Sequence, residues 1–238
     1  MDTKEEFQGD KKLPMRSPLA KVERRFIDYW VPRFPRWIEG YHLTLTTVLW
    51  SAGLVVSGYL ARGDLRWLWL ASGMLFMQWF TDSFDGAIGR YRDTGIPKWG
   101  YYMDHFLDYV FLCGILMGYA LLFDGLHRTI FFILMPILGA FVVNSYLSFA
   151  ATNQFKITFL GMGPTEVRLA LILLNTAMIV FGTGFVARVL PGVPVVATAA
   201  LVVVVYRTQR YIWRIDMEDK QRRCRTIEGV NSGGEDSR

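Results

Sequence analysis

Residues 81–111 hold four aspartates, Asp82, Asp85, Asp104 and Asp108, interleaved with Gly86, Gly89, Arg90 and Gly100. Within each pair the acids are three or four residues apart, which on a helix places them on one stripe. A helix entering near Leu65 and rising 1.5 Å per residue reaches Asp82 after about 26 Å, the far edge of a bilayer's hydrocarbon. The run Arg92-Asp-Thr-Gly-Ile-Pro97 breaks it, and a second helix, predicted to begin near Trp99 or Gly100, turns back antiparallel. Depth then pairs Asp82 with Asp108 and Asp85 with Asp104, in two tiers roughly one 5 Å helical turn apart. Four anions so close repel one another and raise one another's pKa values. Hard divalent cations such as Mg²⁺ or Mn²⁺ answer that charge with carboxylate ligands, and ion pairs about 3.5–4 Å apart serve in-line displacement at phosphorus. The glycines leave room for helices or a ligand to approach, while Arg90 offers a bidentate donor for a diphosphate or for one of the acids. The plainer use of such acids, solvating a loop or pairing with Arg90, Arg92 and Lys98, is assigned to Asp93.

The elements that must position these residues are membrane helices. The 238-residue chain is 52% hydrophobic and 15% aromatic, with its apolar residues in long runs. Six stretches approach the roughly 20 apolar residues a spanning helix needs: 43–61, 65–81, 104–123, 129–151, 167–187 and 191–207. The predicted fold is an all-α polytopic membrane bundle of six transmembrane helices with an N-terminal amphipathic surface helix, because backbone in lipid must satisfy its own hydrogen bonds. Alternating segments of about ten residues, the mark of a transmembrane barrel, do not occur. Six spans put 22 of the 26 Lys and Arg on the side of both termini, so the positive-inside rule makes that side, with the aspartates, cytoplasmic. The net charge of +5 then reflects basic tails beside an anionic leaflet, and no basic segment carries a nucleic-acid reader motif. Cys113 and Cys224 have neither disulfide nor zinc-site spacing.

Outside the catalytic bundle, 41–215, residues 1–17 are charged and expected to be disordered. Residues 18–40 mix Phe26, Ile27, Tyr29, Trp30, Phe34 and Trp37 with Arg and Lys, the pattern of a helix lying along the membrane surface. Surface anchoring is the favoured role for that segment over a substrate lid. Residues 216–238 form a polar tail expected to be disordered. Lys156, Glu166 and Arg168, in the second cytoplasmic connection, suit binding of an acceptor or lipid phosphate. They suit equally well an ordinary charged anchor and a helix cap. His42 and His105 are read as interfacial side chains satisfied by backbone or lipid.

The segment Asp82-Ser-Phe-Asp85-Gly86-Ala-Ile-Gly89-Arg90, nine residues, then Gly100-Tyr-Tyr-Met-Asp104-His-Phe-Leu-Asp108 resembles the signature of the CDP-alcohol phosphotransferase family. Gly89 stands where that pattern usually has Ala, and the gap before Gly100 is about one residue longer. The resemblance implies cleavage of a CDP-linked donor with release of CMP and transfer of the remaining phosphoryl group to an alcohol, in phospholipid synthesis. It implies metal binding by Asp82, Asp85, Asp104 and Asp108, with Asp108 as the base for the acceptor hydroxyl. It places Gly86, Arg90, Gly100 and Asp82 around the CDP group, and implies a homodimer. A compact six-span chain is similar to members that use CDP-diacylglycerol with a small polar alcohol; the Asp104-His105 pair is similar to members that pass phosphocholine or phosphoethanolamine to diacylglycerol.

A reading from another class is a cation or proton transporter, since acids at membrane depth are functional by default. A transporter needs acids near mid-bilayer, whereas these gather at one face, and the last three expected spans add only Glu166 at a helix start.

Overall fold

The computed structural model describes residues 20–152 and 164–233, and among these there are helices and turns but no strand. In chain order the helices are α1 (Ala20–Trp30), α2 (Gly40–Ala61), α3 (Leu68–Arg92), α4 (Pro97–Ala120), α5 (Gly125–Thr152), α6 (Pro164–Phe181), α7 (Gly184–Val189) and α8 (Val193–Gly233). Short 3₁₀ turns lie at Val31–Arg33, Leu65–Trp67 and Leu190–Gly192.

Among the described residues, four stretches are long and apolar enough to cross a membrane: α2, α5, α6 and Gly184–Cys224, which runs through α7 into α8. The sequence predicts six. The two long helices outside this set are α3 and α4, and the physical reason is the site itself: their aspartates and other polar residues dilute the apolar run. The expected span 167–187 is also interrupted, because α6 stops at Phe181 and Gly182 takes a left-handed φ of 76°, a conformation that glycine adopts without strain. At the other end of the chain α8 runs without a break through the boundary expected near residue 216, as far as Gly233.

Helix α3 ends at Asp93, whose φ of 55° makes it the left-handed C-cap, and the Thr94 N–H returns to the Gly89 carbonyl at 3.2 Å. Pro97 opens α4 at a position where its missing N–H costs nothing. Two acid-bearing helices joined by so short a turn would be expected to pack directly together. Instead α2 lies along both, and α3 and α4 share little backbone contact of their own.

Glycine makes this wedge possible. A Cβ on Gly58 would lie 2.1 Å from the Gly118 carbonyl oxygen, one on Gly118 2.7 Å from that of Leu54, and one on Gly114 3.0 Å from that of Ser51. Backbone therefore meets backbone between α2 and α4, as small residues permit in membrane bundles. Leu54, Ala61, Leu68, Ala71, Leu75, Phe111 and Met178 fill the core where α2, α3, α4 and α6 meet. Across that core Tyr119 donates to Asn175 Oδ1 at 2.7 Å and Asn175 Nδ2 to Ser72 Oγ at 3.0 Å, so a polar group buried among three helices is satisfied by its neighbours. Phe123, Ile130, Phe131, Leu134 and Leu190 build a second core at the end away from the aspartates.

Gly58→Ala and Gly118→Ala are each expected to destabilise the bundle by about 1–3 kcal/mol, the usual cost of overpacking. Gly73, with nothing within 4 Å of an added Cβ, should accept Ala without loss. Thermal unfolding of the three variants in detergent checks this, and a Gly58→Ala protein as stable as wild type would refute the wedge.

Candidate metal centre

Helix α3 carries two opposed stripes. Phe80, Phe84 and Ile88 face the N-terminal segment, with the Phe84 ring 4.9 Å from Phe34 and 5.9 Å from Phe26. Phe84 and Ile88 are fully buried beside Val31 and Leu43. Gln78, Asp82 and Asp85, at intervals of four and three, line the other side. On α4, Asp104 and Asp108 share a stripe next to buried Leu107 and Phe111.

The two helices meet at these acids. Asp82, Asp104 and Asp108 each offer a carboxylate oxygen within 4.8 Å of the others. Asp85 lies outside that trio but within electrostatic reach of Asp104 and Asp82. Asp85 is turned toward α2, where Thr44 donates to its Oδ2 at 2.7 Å, and its Oδ1 accepts from the Gly86 N–H. Gly40 sets that contact: a Cβ there would lie 2.3 Å from the Asp85 carbonyl oxygen, so only glycine lets α2 begin against α3. One turn later the helix delivers Thr44.

Other groups close in from three sides. Arg168, in the second turn of α6, donates to Asp82 Oδ2 at 2.9 Å with its side chain only 12% exposed. Gln78, 1% exposed, reaches Asp108 Oδ1 at 3.5 Å, and its own Oε1 has no hydrogen-bond partner among the described residues. His105 Nδ1 lies 3.4 Å from Asp104 Oδ2. The His105 ring packs on Tyr101 at 4.2 Å and Tyr146 at 5.3 Å, while Tyr146 donates to the His105 carbonyl at 2.7 Å. The imidazole is thus set beside a site carboxylate. His42 matches its expectation: its Nδ1 accepts from the Glu39 N–H at 3.1 Å as half of a capping box.

The glycines and Arg90 of the motif take different places. The Arg90 guanidinium folds back over Gly86, where a Cβ would lie 3.0 Å from its Nη1. Among the described residues nothing lies within 4 Å of a Cβ added at Gly100, one turn before Asp104 on α4. At Gly89 a Cβ would come 3.1 Å from the Gly95 Cα, so the small residue fits the turn that returns the chain to α4. Glu166 lies in the first turn of α6, its Oε2 shielded from solvent. Lys156 lies outside the described residues.

An all-oxygen donor set from two helices fits a hard divalent cation of the Mg²⁺ or Mn²⁺ kind and disfavours a thiophilic one. The shielded Gln78 Oε1 beside Asp108 is a further polar atom of the same chemistry. Thr44 and Gln78 are the neighbours that motif reasoning missed. Gln78 had a signal, a polar residue one turn before Asp82 in an otherwise apolar run; Thr44 had none, since only the α2 packing brings it there.

A family model described as CDP-alcohol phosphatidyltransferase matches residues 41–207, which takes in all four aspartates and every helix from α2 into α8. Neither the curated proteins nor the solved structures yielded a match. With most of its 238 residues inside that match, the chain belongs to the CDP-alcohol phosphatidyltransferase family and is an integral membrane transferase of substituted phosphate groups in phospholipid synthesis.

Proposed function

We propose that the protein transfers a phosphatidyl group from CDP-diacylglycerol to a small polar alcohol and releases CMP, at a site facing the cytoplasm. In this reading α3 and α4 also cross the bilayer, which completes six spans. Residues 18–40 rest on its inner surface, and two copies of the chain pair as a homodimer. Asp82, Asp85, Asp104 and Asp108 hold two divalent cations, Mg²⁺ or Mn²⁺. Gly86, Arg90, Gly100 and Asp82 receive the CDP portion. Arg168, with Glu166 and Lys156, receives the acceptor or a lipid phosphate.

The observation that carries the reading is the convergence of Asp82, Asp104 and Asp108 from two helices to within 4.8 Å, at the same end of the bundle as Arg168. Bound cations would neutralise the diphosphate and the departing CMP. Asp108, the exposed member of the trio, is the one an incoming hydroxyl can reach, and it takes the hydroxyl proton. The hydroxyl oxygen then attacks the lipid-side phosphorus, its bond to the CMP oxygen breaks, and CMP leaves with that electron pair. Arg168 pairs with Asp82 at 2.9 Å; were cations held by that carboxylate, its guanidinium would be free to face a phosphate oxygen.

Purified protein given Mg²⁺ or Mn²⁺, each labelled CDP donor and a panel of alcohols should form lipid product and CMP from CDP-diacylglycerol. Product from CDP-choline or CDP-ethanolamine with diacylglycerol would transfer the assignment to that donor class. Release of CMP from no donor, with ion flux through liposomes instead, would reject the enzyme.

Chelation of divalent ions should stop CMP release, and added Mg²⁺ or Mn²⁺ should restore it. Asp108→Asn should lower turnover by about 10²–10⁴-fold, the range for loss of a general base, while donor binding largely survives; near-normal turnover would remove Asp108 from that role. Arg168→Ala should raise the acceptor KM about tenfold, equivalent to 1.4 kcal/mol, with a smaller effect on kcat.

A further inference from the structure

Helix α1 turns one half-buried carboxylate, Glu23, toward the bundle, and three donors from two other helices converge on it. Trp79 Nε1 reaches Glu23 Oε1 at 3.0 Å and Ser83 Oγ reaches the same oxygen at 3.1 Å. Both are on α3, four residues apart and therefore on one face. Thr165 Oγ1, in the first turn of α6, lies 3.3 Å from Oε2. The Phe26 ring packs 6.2 Å from Trp79 and 5.9 Å from Phe84, which seats α1 across α3 beside the carboxylate.

These contacts complete a circuit with the metal centre. Ser83 adjoins Asp82 in sequence, Thr165 precedes Arg168 by three residues on α6, and Arg168 returns to Asp82 at 2.9 Å. Farther along α6, Asn175 ties the helix to Ser72 of α3 at 3.0 Å, about 15 Å beyond Thr165 at 1.5 Å per residue. Glu23 and the Arg168–Asp82 pair are thus two polar ties on the opening two turns of α6. A cation held by Asp82 would compete with the second tie and leave the first in place.

We propose that Glu23 is a positioning residue: through Thr165 it holds the first turn of α6 so that Arg168 stays aimed into the site when Asp82 is engaged by metal. This rests on the transferase reading and on Arg168 as a phosphate ligand. It makes α1 part of substrate binding, beyond the surface anchor that its composition suggests.

Glu23→Ala and Thr165→Val should each raise the acceptor KM about tenfold, with kcat within about twofold of wild type. Combined with Arg168→Ala, either should add less than about twofold, because residues that act through one another are not additive. Glu23→Gln should restore KM to within about twofold: its amide oxygen can accept from Trp79 and Ser83, and its NH₂ can donate to the Thr165 hydroxyl. Hydrogen exchange on the metal-free protein supplies a readout apart from activity. Glu23→Ala should speed exchange in the first turns of α6 and leave the amides beyond Asn175 protected.

A wild-type acceptor KM in Glu23→Ala overturns the proposal. So does an effect that multiplies fully with Arg168→Ala, or unchanged exchange at the start of α6. If Glu23→Ala fails to fold, Thr165→Val, which leaves the Trp79 and Ser83 contacts in place, decides by the same criteria. Absence of CMP release from wild type with every donor would defeat the transferase reading instead, and the exchange experiment would still judge the latch.

Discussion

Helix α2 meets α4 backbone to backbone and starts against the carbonyl of Asp85, and the geometry of the aspartates follows from that approach. Gly58, Gly114 and Gly118 leave no side chain between α2 and α4, and Gly40 none between α2 and α3. A larger residue at any of these points would push an acid-bearing helix outward by tenths of an ångström or more. Because α3 and α4 touch little by themselves, nothing in their own contact would restore the spacing. Three carboxylates within 4.8 Å repel, so the helices that carry them need an external tie, and α2 supplies it. Carboxylates held across a gap are available to an ion or a ligand; carboxylates on helices packed face to face would be shielded by their own backbones.

Charge is managed in the same layered way. Asp85 is satisfied by the Thr44 hydroxyl and a backbone N–H, and Asp82 by the half-buried Arg168 guanidinium. Asp104 has His105 alongside and Asp108 has Gln78. Each neighbour comes from a position that the bundle's packing fixes independently. A second basic residue stabilises the frame: Arg92 donates to the carbonyls of Ile38 at 2.6 Å, Phe34 at 2.9 Å and Pro35 at 3.0 Å. That staple holds the segment between α1 and α2 against the end of α3, so the N-terminal segment and the acid helix share one frame.

The acids were legible in the sequence because their signal is local. Spacings of three and four along helices interrupted by Gly95 and Pro97 put Asp82, Asp104 and Asp108 at one end of neighbouring helices, and the packing of α2 against both sets their separation. The hydrogen bond that Asp85 takes from α2 was not legible, since it depends on Thr44, 41 positions away, and on a glycine at the start of another helix. Composition predicted the membrane character, and α2, α5, α6 and the α7–α8 stretch carry it. Helices α3 and α4 fall outside that set because aspartates and other polar residues interrupt their apolar runs. The glycines of the motif suggested close helix packing at the site. The close packing between helices lies at other glycines, Gly89 serves the turn beside Gly95, and no described atom lies within 4 Å of a Cβ added at Gly100.

Glu23 illustrates why such residues escape motif reading. In sequence it is one acid among several charges on a short surface helix, with no periodic or spacing signal to separate it from Asp28. In the fold it is the meeting point of an indole, two hydroxyls and three helices. A carboxylate that collects three donors is held more rigidly than any of them is alone, since each hydrogen bond to a charged acceptor contributes roughly 1.5–3 kcal/mol. The rigidity falls on the one part of α6 that carries the site's arginine. A helix that only anchored the chain would have no reason to set a carboxylate against donors from the two helices that carry Asp82 and Arg168.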